Sequence, residues 1–186
     1  MKKSNFILYI IAIFILSINV TTSELIVDVS EQRLYLMQND KILESFPIST
    51  SKYGEGNAVN SLKTPLGLHE IKEKIGENAE INTIFISRIN TMRKAEIYKS
   101  IYDSSNDYVT SRILWLSGLE VGLNKGSGID SYDRYIYIHG THEEGLIGQK
   151  ASDGCIRMFN KDVVYLFNIV SKAVSYTHLR AHETRG

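Results

Sequence analysis

Apolar positions recur at every second residue near the start of the chain: Leu25, Val27 and Val29, then Leu34 and Leu36, with Ile42 following Gln38-Asn39-Asp40. A period of two broken by a turn signal predicts a β-hairpin over residues 24–50. A stretch rich in Gly, Asn and Ser, carrying Thr64-Pro65, reads as a loop into "GLHEIKEKI", which alternates again as a strand. Residues 82–89, "NTIFISRI", are β-branched around Phe85 and predict another strand. Between residues 90 and 106 the pattern weakens. Met92, Ala95, Tyr98 and Ile101 recur at intervals of three and predict a helix, while "SSNDY" argues for an elaborated loop.

"RILWLSGLEVGL" and "YDRYIYIHG" read as two buried strands joined by "NKGSGIDS". In the second, Tyr135 and Tyr137 share one face and Ile136 and Ile138 the other, so His139 falls at the strand end and projects from the sheet's rim. Val163, Val164, Phe167 and Val170 keep helical spacing behind Asn160, a good N-cap residue, and predict an amphipathic helix over residues 161–173. No internal repeat is present.

The ends are of a different kind. Lys2 and Lys3 precede an uncharged apolar run from Phe6 to about Val20, the layout of a secretory signal peptide over residues 1–23, with cleavage expected near Thr22 or Ser23. The run is short for a bilayer span, but without an A-x-A site an uncleaved anchor is the alternative, and only then is a membrane involved. With no cysteine after the run, a lipidated N-terminus is not expected. The tail "SYTHLRAHETRG" has no apolar periodicity and resembles vector read-through, so residues 176–186 are expected to stay outside the fold. One domain over residues 24–175 remains. Setting aside the four basic and one acidic residue of the two ends leaves 17 basic against 20 acidic residues, a net of −3. Nucleic acid is therefore not an expected partner, since phosphate binding needs a clustered basic surface.

The chain has one cysteine, Cys155, in "ASDGCIRMFN". A lone thiol in an exported protein is either an intermolecular link or a free reactive group. A catalytic cysteine needs a thiolate, a base beside it and backbone donors for the oxyanion. His139 can supply the base, "GTHEEGLIGQKA" is long enough to fold back, and the amides around Gly154 and Cys155 can supply the donors.

These residues, in this order, resemble one family. "HGTHEEGLIGQKASDGCIRM" is similar to the signature of the L,D-transpeptidase catalytic domain, also called the YkuD domain, which runs from His-Gly to S-H-G-C-[IV]-R-[ML]. "IVDVSEQRLYLMQNDKILESFPISTS", "KTPLGLHEI" and "RYIYIHGT" resemble its opening hairpin, its T-P-x-G strand and the strand leading to its histidine. The resemblance implies a mainly β, sandwich-like domain with a few short helices, one of them after the catalytic cysteine. It also implies a transferase of peptidoglycan biosynthesis, serving cell wall organisation and cell shape in the periplasm or envelope. Cys155 would attack the carbonyl of the third residue of a donor stem tetrapeptide, expel D-alanine and form a thioester; carbapenems, too, acylate many members. The amine of a second stem peptide, or a lysine on a lipoprotein in some relatives, would resolve it; water would make the protein an L,D-carboxypeptidase or amidase. His139 is carried over as general base, with the Gly140 carbonyl orienting its ring. Neither metal nor organic cofactor is implied. The family often closes with a strand after the helix, which is not expected here because the odd tail begins at that point.

The departure is Asp153, where the family has histidine. A carboxylate there raises the thiol pKa unless it faces away or pairs with Arg157 or His139; without a reactive thiol the chain would be a silent peptidoglycan-binding protein. Ser152 is expected to bond within the turn, with orienting the site as the alternative. Arg157 is either a structural arginine or a clamp on a substrate carboxylate. His142 is expected on a surface loop near substrate, because His139, His142 and Cys155 match no compact zinc motif. Glu143 and Glu144 read as a solvated loop tip, His69 as structural, and Trp115, Tyr135 and Tyr137 as packing residues.

Overall fold

A computed structural model describes residues 23–172 and the backbone of residues 176–180. The leader falls outside the described residues. The expected hairpin is a three-stranded meander of β1 (Ser23–Asp28), β2 (Arg33–Gln38) and β3 (Lys41–Ser49). Asn39 and Asp40 turn β2 into β3 with φ of 49° and 61°, the left-handed pair that suits the twist of a tight hairpin. Leu25, Val27, Val29, Leu34 and Leu36 are all buried, whereas Ile42 is exposed.

The strands β4 (Gly67–Ile75), β5 (Thr83–Ile86), β6 (Ile89–Lys94), β7 (Val109–Gly118), β8 (Tyr137–Thr141) and β9 (Ile156–Met158) follow. One further run, Tyr176–Arg180, forms β10, parallel to β1 and antiparallel to β4. Residues 176–180, part of the tail expected to lie outside the fold, thus fill a slot between two strands, which their lack of apolar periodicity gave no sign of. The sheet runs β4-β10-β1-β2-β3-β9-β8-β7-β5-β6 and returns on itself through β4–β7 pairing. The mainly β architecture agrees with the sequence, and among the described residues its helical content is one 3-10 turn at Glu144–Leu146 and one α-helix, α1 (Asn160–Ile169).

The helix expected over residues 93–103 is absent. Met92 belongs to β6, and residues 95–108 form the alternative, an elaborated loop. In α1, Phe159 holds the N-cap position and Asn160 lies inside the first turn. Its side chain is buried and committed to the sheet: Oδ1 accepts from the Thr110 and Ser111 hydroxyls, and Nδ2 donates to the Thr141 carbonyl and Glu144.

Alternation along three neighbouring strands makes two faces. Leu114 and Leu116, Ile136 and Ile138, and Ile156 and Met158 pack with Val163, Leu166, Phe167 and Val170 of α1 in the main core. Ile113, Trp115, Tyr137 and Cys155 belong to a second cluster on the opposite face. Burying one face so completely fixes the register, because a slip of one residue would turn all six apolar side chains outward.

Candidate active site

Strands β8 and β9 lie side by side and parallel, with His139 opposite Arg157 and Ile138 opposite Ile156. Paired residues share a face, so Cys155 and Arg157 stand with Tyr137 and His139 on the side away from α1. The cysteine and histidine singled out by sequence are thereby brought to one face, although His139 is buried in the middle of β8 and not at the sheet's rim, because Gly140 and Thr141 continue the ladder with β7. The Cys155 sulfur is 3.4 Å from the Tyr137 amide nitrogen, which donates to it, and 3.4 Å from the Tyr135 carbonyl oxygen, which accepts. Tyr135 has φ 58°, an uncommon conformation for a bulky residue that turns the chain into β8. Its ring is partly exposed but packs against Trp115 at 5.8 Å between ring centres, and Trp115 and Tyr137 are buried as expected.

The His139 ring is held by the Gly140 carbonyl oxygen, 2.7 Å from Nδ1. A carbonyl only accepts, so Nδ1 carries the proton and Nε2 is left with its lone pair. Burial pushes the His139 pKa down, and the ring rests neutral. Gly140 cannot carry a side chain: a Cβ there would lie 2.5 Å from Asn160 Oδ1 and 2.8 Å from the Thr110 carbonyl oxygen. Burial also pushes the Cys155 thiol up, to about 12, with Asp107 adding to the rise against the opposing Tyr137 amide, Arg157 and Arg134.

The turn before the cysteine is pinned from several sides. The Ser152 hydroxyl donates to the Cys155 carbonyl at 2.6 Å and accepts from the Gly154 amide at 3.3 Å, so the expected local role is the one it has. Thr64 Oγ1 donates to the Gly154 carbonyl at 3.0 Å. Gly154 has φ 122°, a region that disfavours any side chain, and this fixes how the chain enters the nucleophile. Asp153 meets neither Arg157 nor His139. Its carboxylate points to solvent and pairs with Lys52 at 3.4 Å, and Lys52 also reaches Asp103 at 3.7 Å.

Arg157 is buried, with one nitrogen on Glu143 and another on Asp107, both at 2.8 Å. Of its two expected roles, the geometry supports the structural one. Glu143 is correspondingly buried, and Glu144 bonds the Asn160 amide and side chain. Neither is a solvated loop tip, because Arg157 supplies the counter-charge one needs and the start of α1 supplies the donors the other needs. His142 is corrected in the same way. It is buried between the rings of Tyr98 and Tyr108, with Nε2 2.9 Å from the Ser104 hydroxyl. The loop of residues 95–108 straps this segment down, with Tyr98 N donating to the His142 carbonyl and Gly145 N to the Tyr98 carbonyl. His69 is structural as expected, bonded to the Gly67 carbonyl and the Ser131 hydroxyl.

Two clefts meet at Asp153. One, of about 410 Å³, is lined by charged groups including Lys52, Asp107, Glu143 and Arg157. The other, of about 180 Å³, lies against Leu62, Arg134 and Tyr135. Arg134, Lys52 and Asp107 carry no motif that sequence reasoning could have used. Arg134 holds the loop of residues 56–63 through the Gly56 and Lys63 carbonyls, at 3.2 and 2.6 Å.

Residues 22–175 match the family model described as the L,D-transpeptidase catalytic domain, YkuD. The YkuD protein of Bacillus subtilis (strain 168) is 50% identical over 40 residues, which cover 22% of this chain and 24% of that one. An L,D-transpeptidase structure from Mycobacterium smegmatis is 16% identical, with a TM-score of 0.51 over 87% of this chain and 59% of its own. L,D-transpeptidase 3 from Mycobacterium tuberculosis, solved with a faropenem-derived adduct, is 14% identical, with a TM-score of 0.53 over 86% of this chain and 60% of its own. The chain thus spans a quarter of the Bacillus relative and about three-fifths of these solved chains, whose likeness is one of fold.

Proposed function

Since this chain belongs to the L,D-transpeptidase catalytic domain family, we propose that it is an exported cysteine acyltransferase that works on peptidoglycan stem peptides through a thioester on Cys155. The observation that carries this reading is the shared face of β8 and β9, where Cys155 and a neutral His139 with its free Nε2 stand together. The Cys155 sulfur attacks the carbonyl carbon of the third residue of a donor tetrapeptide as its proton passes to His139 Nε2. The carbon–nitrogen bond to D-alanine then breaks, and the departing amine takes that proton from the imidazolium. In the second half, the amine of an acceptor stem peptide, or of a lipoprotein lysine, attacks the thioester. It yields its proton through His139 to the leaving sulfur, and the thiol is restored.

The neutral pair suits this order of events. A thiol at about 12 beside an uncharged imidazole is ionised as the bond forms, not beforehand. The SDGC turn supplies amides close to the attacked carbonyl, held by Ser152 and Thr64. The apolar run behind Lys2 and Lys3 supports export, and the envelope is where such a substrate is found.

The test is intact mass of the mature domain after incubation with a disaccharide-tetrapeptide and, separately, with a carbapenem, comparing wild type with Cys155→Ala. The expected result is an acyl adduct that needs Cys155, release of D-alanine and appearance of a cross-linked dimer. Free tripeptide without dimer would make the protein a hydrolase. A folded protein that binds the muropeptide and never acylates would make it a binding module, the outcome Asp153 suggests by replacing histidine.

A further inference from the structure

The hairpin of β5 and β6 turns at Ser87 and Arg88, with φ of 48° and 70°. The turn sends the Arg88 side chain back across an aromatic shelf. Its guanidinium carbon lies 4.7 Å from the Trp115 ring centre and 4.9 Å from that of Tyr135, and Nη1 donates to the Tyr137 hydroxyl at 3.2 Å. Trp115 in turn stacks on Tyr132 at 4.0 Å. This is the cluster against which Cys155 packs, and Tyr137 joins the two ends: its amide is at the sulfur and its hydroxyl at Arg88.

Three guanidiniums surround this region, and they differ in what they hold. Arg157 is neutralised by Glu143 and Asp107, and Arg134 is spent on loop oxygens. Arg88 has no carboxylate partner among the described residues. Its only hydrogen bond there is to Tyr137, which leaves four of its five N–H groups free. Contact with two rings confines the guanidinium, and its remaining N–H groups suit a planar, bidentate acceptor. Lys72, 3.8 Å from the Tyr132 ring centre, adds a second positive charge to the shelf, and Glu73 is engaged by the Tyr132 hydroxyl.

We propose that Arg88 binds a carboxylate of the peptide whose carbonyl Cys155 attacks, and so selects donors that carry that charge. Because the length of Tyr137 separates Arg88 from the sulfur, the carboxylate belongs to a group removed from the attacked carbonyl. It is a side-chain or terminal carboxylate of the peptide, not the developing oxyanion. This deepens, and rests on, the reading of the protein as an enzyme of stem peptides.

The test separates binding from chemistry. In a Cys155→Ala background, calorimetry compares a stem tetrapeptide bearing free carboxylates with two analogues, one amidated at the third residue's side-chain carboxylate and one at the C-terminus. The expected result is at least a tenfold weaker Kd for one of the two amides, a preference abolished by Arg88→Gln and partly restored by Arg88→Lys, which keeps the charge and loses the fork. Equal affinity for all three peptides, or a preference that survives Arg88→Gln, overturns the proposal. Acylation of the Cys155 protein by the same peptides is scored separately. Its absence would refute the thioester reading and leave the binding comparison to decide the role of Arg88.

Discussion

Cys155 and His139 both rest uncharged, and that has a kinetic signature. With the thiol at about 12, its thiolate fraction, and hence its alkylation by iodoacetamide, rises about tenfold per pH unit from pH 7 through 10. An ordinary thiol levels off above about 8.5; a plateau in that range would contradict the burial described for this sulfur. Asp107 is the lever. Removing its charge by Asp107→Asn takes away a carboxylate that opposes the thiolate and leaves Arg157 with one counter-ion instead of two. The alkylation profile is expected to move to lower pH, and an unchanged profile would show that desolvation alone sets it. Asp153 should behave differently: paired with Lys52 and half exposed, its change to Asn is expected to leave the profile nearly in place.

Among the elements, the strap of residues 95–108 and the segment it covers act as one piece through the buried Arg157–Glu143 pair. Glu143→Ala takes the buried one of the two counter-ions from a buried cation, which costs about 3 kcal/mol and lowers the melting temperature by roughly 6–12 °C; a loss under 2 °C would mean that Asp107 alone suffices. Here the sequence was only partly legible. The strand that carries His139 and the helix after Cys155 were readable because each buries one face, so Ile136, Ile138, Val163 and Phe167 repeat with the period of their element, but that strand runs on past His139 to Thr141. Glu143, Glu144 and His142 looked solvated because their partners, Arg157, Asn160 and Ser104, come from separate segments, and no local pattern reports them. The spacing of Met92, Ala95, Tyr98 and Ile101 suggested a helix, but Met92 belongs to β6, where its amide donates to the Asn90 side chain, and Tyr98 is fixed by its bonds to the His142–Gly145 segment.

For the whole molecule, closure of the sheet depends on β10, which sits between β1 and β4. Deleting residues 173–186 uncovers two ladders at once and is expected to lower the melting temperature by roughly 10 °C or more. An unchanged melting temperature would return the tail to the role its composition suggested. Acid stability has a second global handle in His69, which burial pushes down to about 4. An unfolded histidine titrates near 6.5, so between those values the unfolded chain takes a proton that the folded one refuses. The stabilisation is complete above pH 6.5 and is lost as pH falls toward 4, on the order of 3 kcal/mol. Urea midpoints at pH 7 and 4.5 should therefore differ more for wild type than for His69→Gln.

The sheet ends at β6, whose outer edge faces solvent beside Arg88. An unpaired edge is an invitation to a neighbouring chain, and this one carries its own deterrents: Met92 is bent into a left-handed conformation with φ 59°, and Arg93 and Lys94 crowd the strand with like charge. Straightening and discharging that edge, for instance by Arg93→Thr with Lys94→Val, would turn a guarded border into a template for fibrous self-association.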